Sequence, residues 1–196
     1  MNLWKLAILF LCVIALVTAG YGAVLIRHGF SAKDEPSALE KTVARAVRNL
    51  SIPSDAKQAR NAIPATPENL AAGREHFADH CATCHANDGS GDTEMGRNLY
   101  PKPPDLRLPQ TQNLTDGEIF YIIQNGVRLT GMPAWGDSHE VDDNWKLVLF
   151  IRHLPNLTAE EKKDMEHFNP KGADEQEHEH EGATPSGKPA EEHHHH

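Results

Sequence analysis

The feature that most constrains this chain is the five-residue run Cys81-Ala82-Thr83-Cys84-His85. Two thiols one helical turn apart can add to the two vinyl groups of a haem, and the adjacent imidazole is then held against the iron as a ligand. The run is therefore typical of a covalently bound haem of the c type. It occurs once, so we expect one haem c.

Two other roles for the cysteine pair are a structural zinc site and a thioredoxin-like redox pair. A structural zinc site uses four ligands, and the only other thiol, Cys12, lies in the hydrophobic N-terminal run. A thioredoxin-like redox pair needs a βαβ context, whereas the residues before Cys81 have helical periodicity and no strand-rich segment follows them. Both alternatives are therefore disfavoured.

A sixth iron ligand would separate an electron carrier from a catalyst. Met132 lies between Gly131 and Pro133, in a loop-like segment well downstream of the cysteine pair. A methionine bracketed in this way is poorly placed for packing and well placed for display on a loop. Met and His ligation together raise the haem potential and favour a carrier, so Met132 is the predicted sixth ligand.

Residues 66–157 resemble a class I monohaem cytochrome c domain. Gly73 and Phe77 resemble the contact face of the family's N-terminal helix. Trp145, Leu147 and Phe150 resemble the apolar face of the family's C-terminal helix, which crosses the N-terminal helix.

The resemblance implies an all-α fold around a covalent haem. His85 and Met132 would be the axial ligands, and the Pro104 carbonyl would accept a hydrogen bond from His85. The expected function is one-electron transfer, without a catalytic activity of its own. Two alternatives remain open: a cytochrome subunit of a membrane dehydrogenase or terminal oxidase, and a peroxidase-like or ligand-sensing haem protein.

Local signals predict three helices in this domain. Thr66 followed by Pro67 is an N-cap with proline at the first helical position, and the helix they open delivers Cys81. Thr115-x-x-Glu118 is a capping box for a helix over residues 116–125. A third helix is predicted over residues 142–154. Residues 86–114 are rich in Gly, Pro, Asn and Asp and are expected to wrap the haem as irregular loop.

The N-terminal region predicts a membrane anchor. Residues 6–26 carry no charge over 21 positions, which is enough for a helix to cross a bilayer. A cleaved signal peptide is the alternative, because residues 17–19 suit a cleavage site, but the apolar run continues past that point. Residues 1–30 are therefore predicted to anchor the chain in a bacterial inner membrane. The haem domain would face the periplasm, where c-type attachment occurs in the resembling family.

Residues 31–65 are predicted to form a spacer. Ser37-x-x-Glu40 is a second candidate capping box, and a helix from there to about Asn49 carries an apolar stripe. We expect this stripe to pack on the haem domain of the same chain; docking on a partner is the alternative. The stripe consists of Leu39, Val43, Val47 and Leu50.

Charge divides the chain unevenly. Residues 1–65 hold 8 basic and 4 acidic side chains (+4), residues 66–158 hold 7 and 13 (−6), and residues 159–196 hold 4 and 11 (−7). The acidic haem domain and tail lack the clustered basic residues that bind nucleic acid. Redox partners with a basic patch are expected instead, because opposite charges speed association. No carboxylate pair, nucleophile triad or phosphate loop suggests a small-molecule substrate. The tail, residues 159–196, is predicted to be mostly disordered, with the disorder beginning at about Asn169. Its histidines leave metal binding open.

Overall fold

The computed structural model describes residues 2–28, 31–137 and 141–169, and in these ranges it is helical without a strand. A single 3-10 turn, Leu154–Asn156, follows the ninth helix. The helices, in chain order, are α1 (Leu3–His28), α2 (Ala38–Ser51), α3 (Ser54–Gln58), α4 (Pro67–His80), α5 (Ala82–His85), α6 (Glu94–Arg97), α7 (Pro109–Gln112), α8 (Asp116–Asn125), α9 (Val141–His153) and α10 (Ala159–Phe168). The predicted all-α fold is confirmed.

The crossing of α4 and α9 forms the centre of the domain. Gly73 lies so close to α9 that a Cβ there would collide with the backbone carbonyl of Lys146. Phe77 and Phe150 pack beside this contact with their ring centroids 5.3 Å apart, and both side chains are fully buried. The absence of a side chain at Gly73 therefore lets the helices approach closely enough for the two rings to meet.

The sequence signals for α4 and α8 act as predicted. The Thr66 hydroxyl accepts a hydrogen bond from the Asn69 amide, and Pro67 occupies the first turn of α4. Thr115 and Glu118 form both hydrogen bonds of the capping box that opens α8. Gly126, with a φ of 63°, ends α8. α8 also holds α3 in place, because the Thr115 hydroxyl donates a hydrogen bond to the carbonyl of Lys57.

The folded unit extends one helix beyond the predicted end of the haem domain at residue 158. α10 lies within residues 159–196, and it is ordered because Thr158 and Glu161 form a reciprocal capping box at its start. Its Met165 is fully buried in the core. Arg74 on α4 also binds Asp164 at 2.9 Å. The folded unit therefore continues to residue 169, and the predicted disorder of residues 170–196 lies outside the described residues.

The spacer helix forms, but it does not pack as predicted. Ser37 caps α2 by accepting a hydrogen bond from the Glu40 amide, whereas the Glu40 carboxylate receives a hydrogen bond from the Tyr100 hydroxyl at 2.5 Å instead of completing a capping box. The apolar stripe is exposed along its whole length. The expectation that it packs on the haem domain is therefore wrong, because α2 meets the domain through polar residues.

α1 has the length and composition of a membrane span. Within Leu3–Arg27 the most apolar window of 18 residues has a mean hydropathy of 2.5, and none of this window is buried against the rest of the chain. At about 1.5 Å per residue these 25 residues exceed the roughly 30 Å of a hydrocarbon core. A helix of this kind in contact with water would expose a continuous apolar surface.

Candidate haem site

The cysteine pair lies where α4 ends and a single further turn begins. Cys81 closes α4 through a hydrogen bond from its amide to the carbonyl of Phe77. The amides of Cys84 and His85 then both donate to the Cys81 carbonyl, at 3.1 and 2.8 Å. This turn, α5, holds the two thiols and the imidazole on one short rigid segment that is continuous with the core helix.

The thiols are in their neutral form. Burial, together with the nearby Cys84, raises the pKa of Cys81 to about 12, and burial also raises the pKa of Cys84. A disulfide-exchange site lowers the pKa of its attacking thiol, so this pair lacks the electrostatics of such a site. Zinc is also disfavoured, since the described residues contain no group of three or more His, Cys, Asp or Glu that could hold a metal ion.

His85 is held as a neutral imidazole. Burial lowers its pKa to about 4, and a backbone interaction with Pro104 opposes that effect. Within the described part of the chain, its Nδ1 atom is buried and has no partner at good hydrogen-bond geometry. Pro104 therefore lies beside the ring, where the sequence places the acceptor, although the contact falls short of a well-formed hydrogen bond. A neutral imidazole is the form that binds iron.

The segment after His85 folds back over the turn. The amide of Gly91 donates to the carbonyl of His85 at 2.8 Å, and the amide of Leu106 donates to the carbonyl of Gly89 at 2.8 Å. The Thr93 hydroxyl donates to the carbonyl of Thr83 at 2.7 Å. These three hydrogen bonds bring the segment that contains Pro104 against the turn that contains His85.

Met132 lies on a loop that is closed by hydrogen bonds within itself. The Val127 amide donates to the Met132 carbonyl at 3.1 Å. The Thr130 hydroxyl donates to the Val127 carbonyl at 2.7 Å and accepts from the Met132 amide at 3.1 Å. A Cβ at Gly126 would lie 2.6 to 2.7 Å from backbone atoms of residues 132–134. The loop is therefore a defined structure and not a flexible linker.

The Met132 loop and the cysteine turn contact each other. Trp135 stacks on His80, the residue before Cys81, with ring centroids 5.4 Å apart and an interplanar angle of 12°. The loop also meets Leu99, because a Cβ at Gly131 would lie 2.7 Å from the Leu99 side chain. Sequence reasoning missed Thr130 and Trp135. Thr130 could have been found, because a Thr hydroxyl that accepts from the amide two residues later is a known turn signal. The stacking of Trp135 on His80 could not be predicted from the sequence, because the two residues are far apart in the chain.

The site fits a covalently attached haem. One short turn carries two neutral thiols and a neutral, buried imidazole. The methionine loop stacks on His80, the residue that precedes this turn. A cleft of about 300 Å³ between α3 and α8 contains none of these residues and is a separate feature; it is lined by Ala56, Ala59, Gly117, Phe120, Tyr121, Gln124 and Asn125.

Comparison with known proteins identifies the folded unit. Residues 68–151 match the family model described as cytochrome C oxidase, cbb3-type, subunit III. This segment is a cytochrome c domain. The match implies a domain that binds haem c covalently and transfers electrons through it.

One curated relative is the cbb3-type cytochrome c oxidase subunit FixP of Azorhizobium caulinodans, which is 38% identical over 72 residues. The match covers 33% of this chain and 20% of FixP, so the chain spans about a fifth of that relative's length. A solved chain from the reducing HAO-like protein complex of Kuenenia stuttgartiensis is 20% identical, with 49% of each chain covered and a TM-score of 0.44.

Proposed function

We propose that the protein is a membrane-anchored carrier of single electrons. In this proposal Cys81 and Cys84 hold the haem through thioether bonds, and His85 and Met132 are its axial ligands. The observation that carries the proposal is the stacking of Trp135 on His80, because it places the Met132 loop against the turn that bears the two thiols and the imidazole.

The positions of the other methionines support Met132 as the second axial ligand. Met95 lies on α6 and is 51% exposed, whereas Met165 is fully buried in the core through α10. Among the methionines that the structure describes, only Met132 lies on a loop that is closed upon itself and stacks on the residue before the cysteine turn. A bound haem with both axial positions filled takes up and releases one electron at its iron without opening a site for substrate.

The residues of the chain supply the environment of this chemistry. His85 is kept neutral by burial, so it remains an iron ligand at neutral pH. Pro104 lies beside the imidazole and would fix its tautomer through the backbone carbonyl. Thr130 holds the Met132 loop in one conformation, which limits the rearrangement that accompanies electron transfer.

The proposal extends to the location of the protein and its partners. α1 would span a bacterial inner membrane, with the haem domain in the periplasm. The domain and its tail are acidic, so redox partners would present a basic patch and associate fastest at low salt. Carbonate extraction of membranes tests the anchor: the chain should stay in the pellet, and release by carbonate alone would contradict it.

A second candidate function is that of a bound subunit of a terminal oxidase. The description of the matching family and the name of FixP favour it. Purification of the full chain from native membranes in mild detergent separates the two functions. A subunit would copurify with the other subunits of an oxidase in fixed ratio, whereas a free carrier would elute alone.

Haem attachment is tested on denaturing gels. The wild-type chain should retain peroxidase-active haem stain after denaturation, because thioether bonds survive it. Cys81→Ala and Cys84→Ala should each lose one thioether, so the α-band of the pyridine haemochrome should move to longer wavelength. Cys12→Ala is the matched control and should stain like wild type. Stain that persists unchanged in the Cys81→Ala, Cys84→Ala double variant would contradict the proposal.

A further inference from the structure

The apolar stripe of α2 has no cover in the described part of the chain. Its four members are 74%, 52%, 61% and 83% exposed, in the order Leu39, Val43, Val47 and Leu50. Soluble surfaces scatter large apolar side chains singly. A row of four on one face of a helix indicates a surface that is covered in the working protein.

The opposite face of α2 is turned toward the haem domain. With about 100° of rotation per residue, Arg48 and Asn49 lie on the other half of the helix from Val43, and both are half-buried. Lys57 donates a hydrogen bond to the carbonyl of Asn49 at 2.6 Å, and Arg48 lies within electrostatic range of Glu118 on α8. α3 and α8 therefore lie on that side of α2, whereas the four side chains of the stripe stay exposed.

α2 is also fastened near its start. The Tyr100 hydroxyl donates to the Glu40 carboxylate at 2.5 Å, and Lys102 binds Glu35 at 3.4 Å, just before the helix. With Lys57 at the other end, these contacts hold α2 across the domain in one orientation. The stripe is thus a fixed outer surface.

The proposed membrane span, α1, directly precedes α2 in the chain. Nine residues separate the end of α1 at His28 from the start of α2 at Ala38, and nine extended residues reach at most about 30 Å. α2 therefore starts within about 30 Å of the surface from which α1 emerges. Its charges, Lys41, Arg45 and Arg48 against Glu40, sum to +2, whereas the haem domain is negative.

We propose that α2 lies in the interface of the membrane that α1 spans, with its stripe in the lipid and the haem domain on its far side. This inference rests on the proposed membrane anchor. A helix with a strongly segregated apolar face, low overall hydrophobicity and an excess of basic residues is the kind that binds bilayer surfaces. Because its other face is tied to the domain, α2 sets the orientation of the haem domain relative to the bilayer.

The test uses the full haem-loaded chain in vesicles of phosphatidylethanolamine and phosphatidylglycerol. A nitroxide is attached to a single cysteine at position 43, 44 or 15 in a Cys12→Ala background, and its accessibility to oxygen and to a water-soluble nickel chelate is measured by electron paramagnetic resonance. The label from Val43→Cys should be several times more accessible to oxygen than to nickel. Ala44→Cys, from an exposed position beside the stripe, is the matched control and should favour nickel.

The label from Ala15→Cys reports on the anchor separately. If position 15 is reached by oxygen and position 43 favours nickel as position 44 does, the anchor stands and the interfacial helix is overturned. If position 43 is shielded from both reagents, a protein covers the stripe, and the inference is also overturned. If position 15 itself favours nickel, the proposed anchor fails.

Discussion

The indole ring of Trp135 lies parallel to the imidazole of His80, with centroids 5.4 Å apart and planes inclined by 12°. His80 directly precedes the first cysteine of the haem-binding turn, and Trp135 follows Met132 by three residues. One aromatic contact therefore joins two segments that are about fifty residues apart in the chain. It fixes the position of the methionine loop relative to the turn.

Removing this contact should loosen the methionine loop. In Trp135→Ala the loop loses its aromatic packing on His80, so the sixth iron position should open more often, and cyanide should bind the oxidised protein faster than in wild type. Trp135→Phe keeps an aromatic ring and should restore most of the resistance. Stopped-flow spectroscopy in the haem region measures the rates. Equal cyanide rates in wild type and Trp135→Ala would contradict the role of the stack.

The Thr130 hydroxyl should tune the haem potential through the loop. Thr130→Val removes the two hydrogen bonds that the Thr130 hydroxyl makes within the Met132 loop, each contributing about 0.5 to 1.5 kcal/mol. A looser Met132 binds iron more weakly, so the reduction potential should fall. Thr130→Ser keeps the hydroxyl and should behave like wild type. An optical redox titration measures the reduction potential. An unchanged potential in Thr130→Val would contradict a role of the Thr130 hydroxyl in setting it.

α10 should contribute measurably to the stability of the domain. Met165 is fully buried, so Met165→Ala should lower the free energy of unfolding by about 2 to 5 kcal/mol. Lys163→Ala, at an exposed position on the same helix, should change it by less than about 0.5 kcal/mol. Thermal unfolding of the haem-loaded chain in detergent compares them. Equal stability of the two variants would mean that α10 is not docked in solution.

The docking of α10 should weaken in acid. Glu161 contacts His153 at 2.9 Å and Arg74 at 3.8 Å. Burial would raise its pKa, but hydrogen bonds from the Thr158 backbone and from His153 outweigh this and lower the pKa below the ordinary 4.5. A lowered carboxyl pKa stabilises the fold above pH 4.5, and this stabilisation is lost as the pH falls through the folded value.

Glu161→Gln should therefore be less stable than wild type at neutral pH, and the two melting temperatures should converge as the pH falls toward about 3. A constant gap between them across this range would contradict the proposed role of the carboxylate.

Much of the domain could be predicted because its signals are local. Capping residues such as Thr66 and Thr115 lie beside the helices that they open, and the spacing of Cys81, Cys84 and His85 is itself the chemistry of haem attachment. These features depend on neighbours within four residues, which a sequence displays directly.

The features that sequence reasoning missed depend on distant partners. α10 is short and mostly charged, and its order comes from burying Met165 in a core that the rest of the domain supplies. The stripe on α2 was correctly identified as apolar, but its direction is decided by Tyr100 and Lys102, which lie some sixty residues further along the chain. An amphipathic pattern shows that a face is to be covered and does not show what covers it.

The central claim is that Met132 is the sixth ligand of the haem iron, and near-infrared absorption of the oxidised protein tests it most directly. We predict the weak charge-transfer band of methionine-ligated ferric haem in wild type, and its complete loss in Met132→Ala, together with rapid binding of carbon monoxide by the reduced variant. Met95→Ala is the matched control and should keep the band. A wild-type protein that lacks the band, is high-spin and binds carbon monoxide at once would contradict the electron-carrier account and favour a haem protein with an open coordination site.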